Sequence, residues 1–115
     1  MKISVQSIHF NADKKLLAFI QKKADKLDQF YDQIISGEVY LKVEKTEDES
    51  NKILEIKLNL PGNMLFSKQQ CKSFEEAADL ASESLRRQID RYKAKLNARM
   101  SNYKTDFVLN MASAM

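Results

Sequence analysis

The chain has 115 residues, of which 43% are apolar and 30% charged, with only two glycines and one proline. That amounts to a single domain with a real core, and it excludes collagen-like, linker-like and disordered compositions. The formal net charge is only +3, but it is unevenly spread: residues 1–85 carry 12 Lys/Arg against 14 Asp/Glu, and residues 86–115 carry 7 against 2. No stretch approaches the roughly 20 consecutive apolar residues that cross a bilayer.

Residues 2–8, KISVQSI, alternate Ile3 and Val5 with Lys2, Ser4 and Gln6, the period of a half-buried strand and not of a signal peptide. In HFNAD, Asn11 or Asp13 can cap a helix through a side-chain oxygen. Leu16, Leu17, Ile20, Ala24, Leu27 and Tyr31 then recur at helical steps, with Lys15, Lys22 and Lys26 on another face and Lys23 between. After Ser36-Gly37 the period returns to two in EVYLKVEK, and TEDESN (46–51) reads as a hairpin connection to the alternating ILEIKLNL (53–60). Pro61-Gly62-Asn63 supplies turn chemistry before a weaker fourth strand, MLFSKQQC (64–71).

The last element is the longest. Phe74, Ala78, Ala81, Leu85, Ile89, Tyr92 and Leu96 mark a helix over 74–97. Its first half is acidic and its second basic, which suits the helix dipole. The order β-α-β-β-β-α predicts an α+β fold with two helices packed on one face of a four-stranded sheet. Residues 1–100 are expected to form the domain, and 101–115, which lack a clear period, a C-terminal tail that frays. Where the first strand joins the sheet is not legible from periodicity.

Few residues offer chemistry. Two glycines cannot write a phosphate-binding loop or a dinucleotide fingerprint. The lone Cys71 has no disulfide partner or metal-ligand spacing and reads as a small core or edge residue. The lone His9 follows a strand without an evident partner, so a surface or capping role outranks a base. The carboxylates of TEDESN read as solvated turn residues. These readings predict no enzyme activity, no metal, no cofactor and no small-molecule substrate, and a cytoplasmic protein that is monomeric when free.

One constellation stands above that background. In LRRQIDRYKAKLNAR, residues 85–99, Arg87, Arg91, Lys95 and Arg99 are four apart, a stripe of about 18 Å beside the apolar seam. Such a stripe can contact a run of phosphates. A solvated helix would more naturally intersperse signs, and Asp90 is the lone acid among these cations. Lysines of the first helix could join them if both helices lie on one side of the sheet. Phe19 and Phe30 lie beside those lysines, where packing at the rim of the core outranks base stacking.

KADKLDQFYDQI, VYLKVEK and SFEEAADLASESLRRQIDRYKAKL together resemble the ribosome hibernation-promoting factor and ribosome-associated inhibitor family, once called sigma-54 modulation proteins. The resemblance spans about residues 1–97. It implies a fold similar to double-stranded RNA-binding domains and binding to 16S rRNA of the small ribosomal subunit in the mRNA/tRNA channel, silencing translation in stationary phase or stress. The family's basic positions match Lys23 and Lys26 in the first helix, and Arg87, Arg91, Lys93 and Lys95 in the second. Lys22, Arg86 and Arg99 complete the expected rRNA-binding set. The chain departs from the family at Leu17 and Ser84, where Arg and Lys are frequent. It resembles the family's short form, without a C-terminal dimerisation domain. The competing expectation, from the older name, is a protein-binding transcription regulator.

Overall fold

The computed structural model describes the chain apart from residues 46, 48 and 115 and the side chains of residues 99–114. Its elements are β1 (Lys2–Ile8), α1 (Lys14–Phe30), β2 (Ser36–Val43), β3 (Lys52–Leu60), β4 (Asn63–Cys71) and α2 (Phe74–Ala114). This is the β-α-β-β-β-α order expected from the changes of period. The four strands form one sheet in the order β1-β2-β3-β4. β1 lies parallel to β2, with Val5 beside Val39. A parallel neighbour needs a crossover, and α1 provides it. β2, β3 and β4 form an antiparallel meander, with Leu41 opposite Leu54 and Leu58 opposite Leu65.

Alternation along the strands sends Val39, Leu41, Leu54, Ile56, Leu58, Leu60 and Leu65 to one face, where they meet Leu16, Ile20 and Leu27 of α1 and Ala78, Ala81, Leu85 and Ile89 of α2. Leu41, Leu54, Leu58, Leu85 and Ile89 are sealed from solvent. At about 1.5–3 kcal/mol for each fully buried aliphatic side chain, this shared core is what holds the helices on the sheet. The opposite face carries Glu38, Tyr40, Glu55, Lys57 and Lys68, half-buried or exposed. Lys57 pairs there with Glu38 at 3.8 Å, and Lys68 with Glu55 at 3.9 Å.

Local chemistry sets the ends. Asp13 is the cap of α1, its carboxylate accepting the Leu16 N–H at 2.7 Å. The Ser73 hydroxyl accepts the Glu76 N–H at 3.1 Å to start α2, and caps of this kind contribute about 1 kcal/mol. Gly62 sits in the β3–β4 turn at φ 73°, a conformation that favours glycine. Gly37 is buried because β-sheet and side chains close on it: an added Cβ would lie 2.7 Å from Ile3 Cδ1 and 3.3 Å from Leu58 Cδ2. Across the fold, the Phe10 and Phe74 rings stack at 5.3 Å and fasten the β1–α1 loop to the start of α2.

α2 runs on past residue 97, where its apolar period stops, to Ala114. Residues 97–114 contain no glycine or proline to break a helix. Arg99, the last member of the four-residue stripe, lies outside the residues whose side chains are described.

Candidate nucleic-acid interface

α1 and α2 lie side by side on the sheet and run in the same direction. Lys23 reaches Asp79 near the middle of α1, while Phe30 at its end meets Arg86 and Lys93. With 100° per residue, the apolar seam of α2 leaves one flank facing α1 and the other facing β4. The basic residues divide between these flanks.

On the α1 flank, the Arg86 guanidinium lies 4.3 Å from the centre of the Phe30 ring, a cation–π contact. The Lys93 ammonium donates to the Phe30 carbonyl oxygen at 3.0 Å. That carbonyl belongs to the last turn of α1, where the helix dipole is negative and a cation is favoured. Between the helices is a cleft of about 400 Å³ lined by Lys23, Lys26, Phe30, Asp79, Glu83 and Arg86, among others. Lys23 is half-buried. Its ammonium pairs with Asp79 at 2.6 Å and lies 5.3 Å from the centre of the Phe19 ring. Lys26 is exposed at the mouth of the cleft, and Lys22 is exposed outside its lining. Phe19 and Phe30 pack against the core, as rim packing anticipates.

On the β4 flank, Arg91 and Lys95 line a groove of about 330 Å³ with Asn63, Leu65, Gln88 and Tyr92. Arg87 precedes them, facing solvent. All three cations are exposed, and none forms an ion pair among the described residues. The groove wall is fixed by two hydrogen bonds. Gln88 Nε2 donates to the Phe66 carbonyl at 2.9 Å, and the Tyr92 hydroxyl donates to the Pro61 carbonyl at 3.3 Å. Gln88 thereby occupies an acceptor on the open edge of β4, where an unpaired strand would invite another chain. The Asn63 side chain accepts the Met64 N–H at 2.8 Å on the same strand.

The structure thus joins Lys23, Lys26 and Arg86 in one cleft and Arg91 and Lys95 in one groove, with Arg87 on the ridge. Periodicity alone identifies the row of Arg87, Arg91 and Lys95 and a separate lysine face on α1, but not that Arg86 turns toward the latter. It also misses Asp79 as the partner of Lys23, and Phe30 as the partner of Arg86 and Lys93, contacts between residues distant in sequence. Of these, only Phe30 carries a sequence signal, lying beside the lysines of the first helix.

The remaining chemistry-bearing residues lie elsewhere. His9 is exposed, at φ 66°. Cys71 is buried at the end of β4, and burial, followed by the charge of Glu76, raises its thiol above its ordinary pKa. Among the described residues no group of three or more His, Cys, Asp or Glu side chains could hold a metal ion. No described helix is long and apolar enough to cross a membrane.

Comparison with known proteins agrees with this architecture. The chain is 30% identical over 78 residues to a ribosome hibernation promotion factor of Deinococcus radiodurans, covering 67% of this chain and 41% of that protein. The match thus spans under half the length of that relative. It is 23% identical over 95 residues to a ribosome hibernation promoting factor of Pseudomonas putida, covering 83% of this chain and 89% of the other. Among solved structures, a ribosomal subunit interface protein of Coxiella burnetii superposes with a TM-score of 0.73 at 20% identity, over 82% of this chain and 99% of that one. The N-terminal domain of Thermus thermophilus Protein Y has a TM-score of 0.69 at 22% identity, over 80% and 99%. These two similarities establish the β-α-β-β-β-α fold. The family model described as sigma 54 modulation protein / S30EA ribosomal protein matches residues 3–97, the span that holds all but the first residue of the sheet, α1, the packed part of α2 and every basic residue placed above. The chain belongs to that family.

Proposed function

We propose that this protein is a ribosome hibernation factor that binds the small ribosomal subunit through 16S rRNA in the mRNA/tRNA channel and silences translation in stationary phase or stress. The observation that carries this reading is the run Arg87, Arg91 and Lys95, exposed along a helix fixed to the sheet and without ion-pair partners among the described residues. A rigid row of uncompensated cations is suited to phosphate, because binding releases condensed counter-ions at little ordering cost. Arg86 and Lys93 carry the contact to the flank of α2 that faces α1, Lys22, Lys23 and Lys26 extend it across α1, and Arg99 extends it along α2. Residues 1–100 are the ribosome-binding domain in this reading, and 101–115 are an appended segment. Action on ribosomes places the protein in the cytoplasm as a binding protein and not a catalyst, monomeric when free.

Replacing Arg87, Arg91 and Lys95 together by Gln tests the reading. Gln is a good helix former, so each solvent-facing change costs a few tenths of a kcal/mol. The variant is expected to keep the parent's circular dichroism and to lose both cosedimentation with small subunits and inhibition of cell-free translation. Binding by the parent should weaken as salt rises, with a log–log slope of roughly −0.7 to −0.9 per neutralised phosphate. A folded triple variant that still silences translation would refute the assignment of α2 as the rRNA contact.

A further inference from the structure

The cleft between α1 and α2 is not uniformly basic. Asp79 and Glu83 line it together with Lys23, Lys26 and Arg86, and Asp79 holds the Lys23 ammonium at 2.6 Å. Lys23 is 27% exposed and Asp79 is 54% exposed, so the pair is accessible to solvent and to a ligand. A second contact holds Lys23 in this position, since its ammonium also lies over the Phe19 ring, 5.3 Å from the ring centre. A phosphate reaching the cleft would therefore meet a lysine that already has a counter-ion.

We propose that Asp79 is an internal competitor of RNA: it neutralises Lys23 in the free protein, must give up Lys23 when a phosphate binds, and so limits affinity and sets where a phosphate run can end in the cleft. The inference rests on the proposed binding of rRNA and deepens it. Its physical basis is the charge order along α2. Moving along the cleft toward the end of α1, the acids Asp79 and Glu83 give way to Arg86, and then to Lys93 at the Phe30 carbonyl. A polyanion meets cations free of ion pairs among the described residues at the Arg86 end, whereas at the Asp79 end it meets a lysine that is already paired. Only an RNA that places a phosphate against Lys23 while its other phosphates engage Arg91 and Lys95 gains enough to displace the carboxylate. Weakly held, non-specific RNA does not, so the competitor favours folded rRNA over stray strands.

Dissociation constants for purified small subunits, measured with the full chain at fixed salt, test the inference. Asp79→Asn and Glu38→Gln each remove one negative charge, but Glu38 lies on the opposite face of the sheet, paired with Lys57. Since exposed ion pairs are worth about 0.2–1 kcal/mol, Asp79→Asn is expected to tighten binding by roughly 1.4- to fivefold. Glu38→Gln should change it far less. In a Lys23→Gln background the gain from Asp79→Asn should largely vanish, since the two residues then no longer interact. Thermal melts of each variant establish that the folded protein is being compared, and Asp79→Ser provides a second removal of the carboxylate. Equal effects of Asp79→Asn and Glu38→Gln, or a gain that survives in the Lys23→Gln background, would overturn the inference and leave rRNA binding standing. Failure of the parent chain to bind small subunits would overturn both.

Discussion

At the scale of single residues, the same side-chain type serves different ends according to what surrounds it. Arg87 and Arg86 are sequence neighbours, yet Arg86 stacks over Phe30 while Arg87 faces water. A change at Arg86 therefore alters helix–helix packing as well as charge, whereas a change at Arg87 alters charge alone. His9 shows backbone constraint in place of chemistry. At φ 66° it occupies the left-handed region, which costs most residues about 1–2 kcal/mol and is tolerated best by glycine and asparagine. His9→Asn is expected to leave stability within about 0.5 kcal/mol of the parent, and His9→Val to lower it by about 1–2 kcal/mol. Urea denaturation would check both. Equal stability of the two variants would show that the left-handed backbone is not maintained in solution.

At the scale of elements, α2 has three distinct faces: a seam buried on β3 and β4, a flank toward α1, and a flank toward the β4 edge. Lys93 and Arg91 are both exposed cations on this helix, but Lys93 also donates to the last turn of α1. Loss of a cation at a helix C-terminus costs about 0.3–1 kcal/mol. Lys93→Gln is thus expected to lower the melting temperature by about 2–5 °C for a domain of this size, while Arg91→Gln leaves it nearly unchanged. Differential scanning calorimetry would separate them. Any loss of the proposed RNA binding in the Lys93 variant then has two causes, and in the Arg91 variant only one. The hairpin turn at Gly62 and the caps at Asp13 and Ser73 likewise fix where elements begin, and so which basic residues fall opposite which groove.

At the scale of the whole molecule, two titrating groups report on the integrity of the core. Burial raises the Cys71 thiol, and burial followed by the neighbouring Tyr92 raises the Tyr31 phenol. In both cases folding favours the protonated, neutral form. Their stabilising contribution is complete below the ordinary values of 9.0 for the thiol and 10.0 for the phenol, and it is lost as pH climbs through the raised folded values. Stability to urea should therefore decline above about pH 9, and Cys71→Ala should flatten the first part of that decline. At neutral pH the native thiol should react with thiol reagents far more slowly than the unfolded chain, since the nucleophile is the thiolate and Cys71 is covered. A native thiol that reacts as fast as the unfolded one would mean that β4 opens from the sheet under α2.

Much of this architecture follows from the amino-acid sequence alone, because the signals are local. Alternation identifies β2 and β3, three- and four-residue steps identify α1 and the packed part of α2, and Asp13 and Pro61-Gly62-Asn63 mark a cap and a turn. The exposure of Arg87, Arg91 and Lys95 follows in the same way from their offset from Leu85, Ile89 and Tyr92 on the helix. Tertiary structure alone decided the rest. Parallel pairing of β1 with β2 depends on how α1 packs across the sheet, which no period within β1 encodes. The pairing of Lys23 with Asp79, the contact of Arg86 with Phe30 and the bond from Lys93 to the end of α1 join residues distant in sequence. A helical period specifies which face of a helix is apolar, but not which neighbour each flank will meet. That is determined when both helices bury their seams in one core, and it sets Arg86 and Lys93 against α1 while Arg91 and Lys95 line a groove along β4.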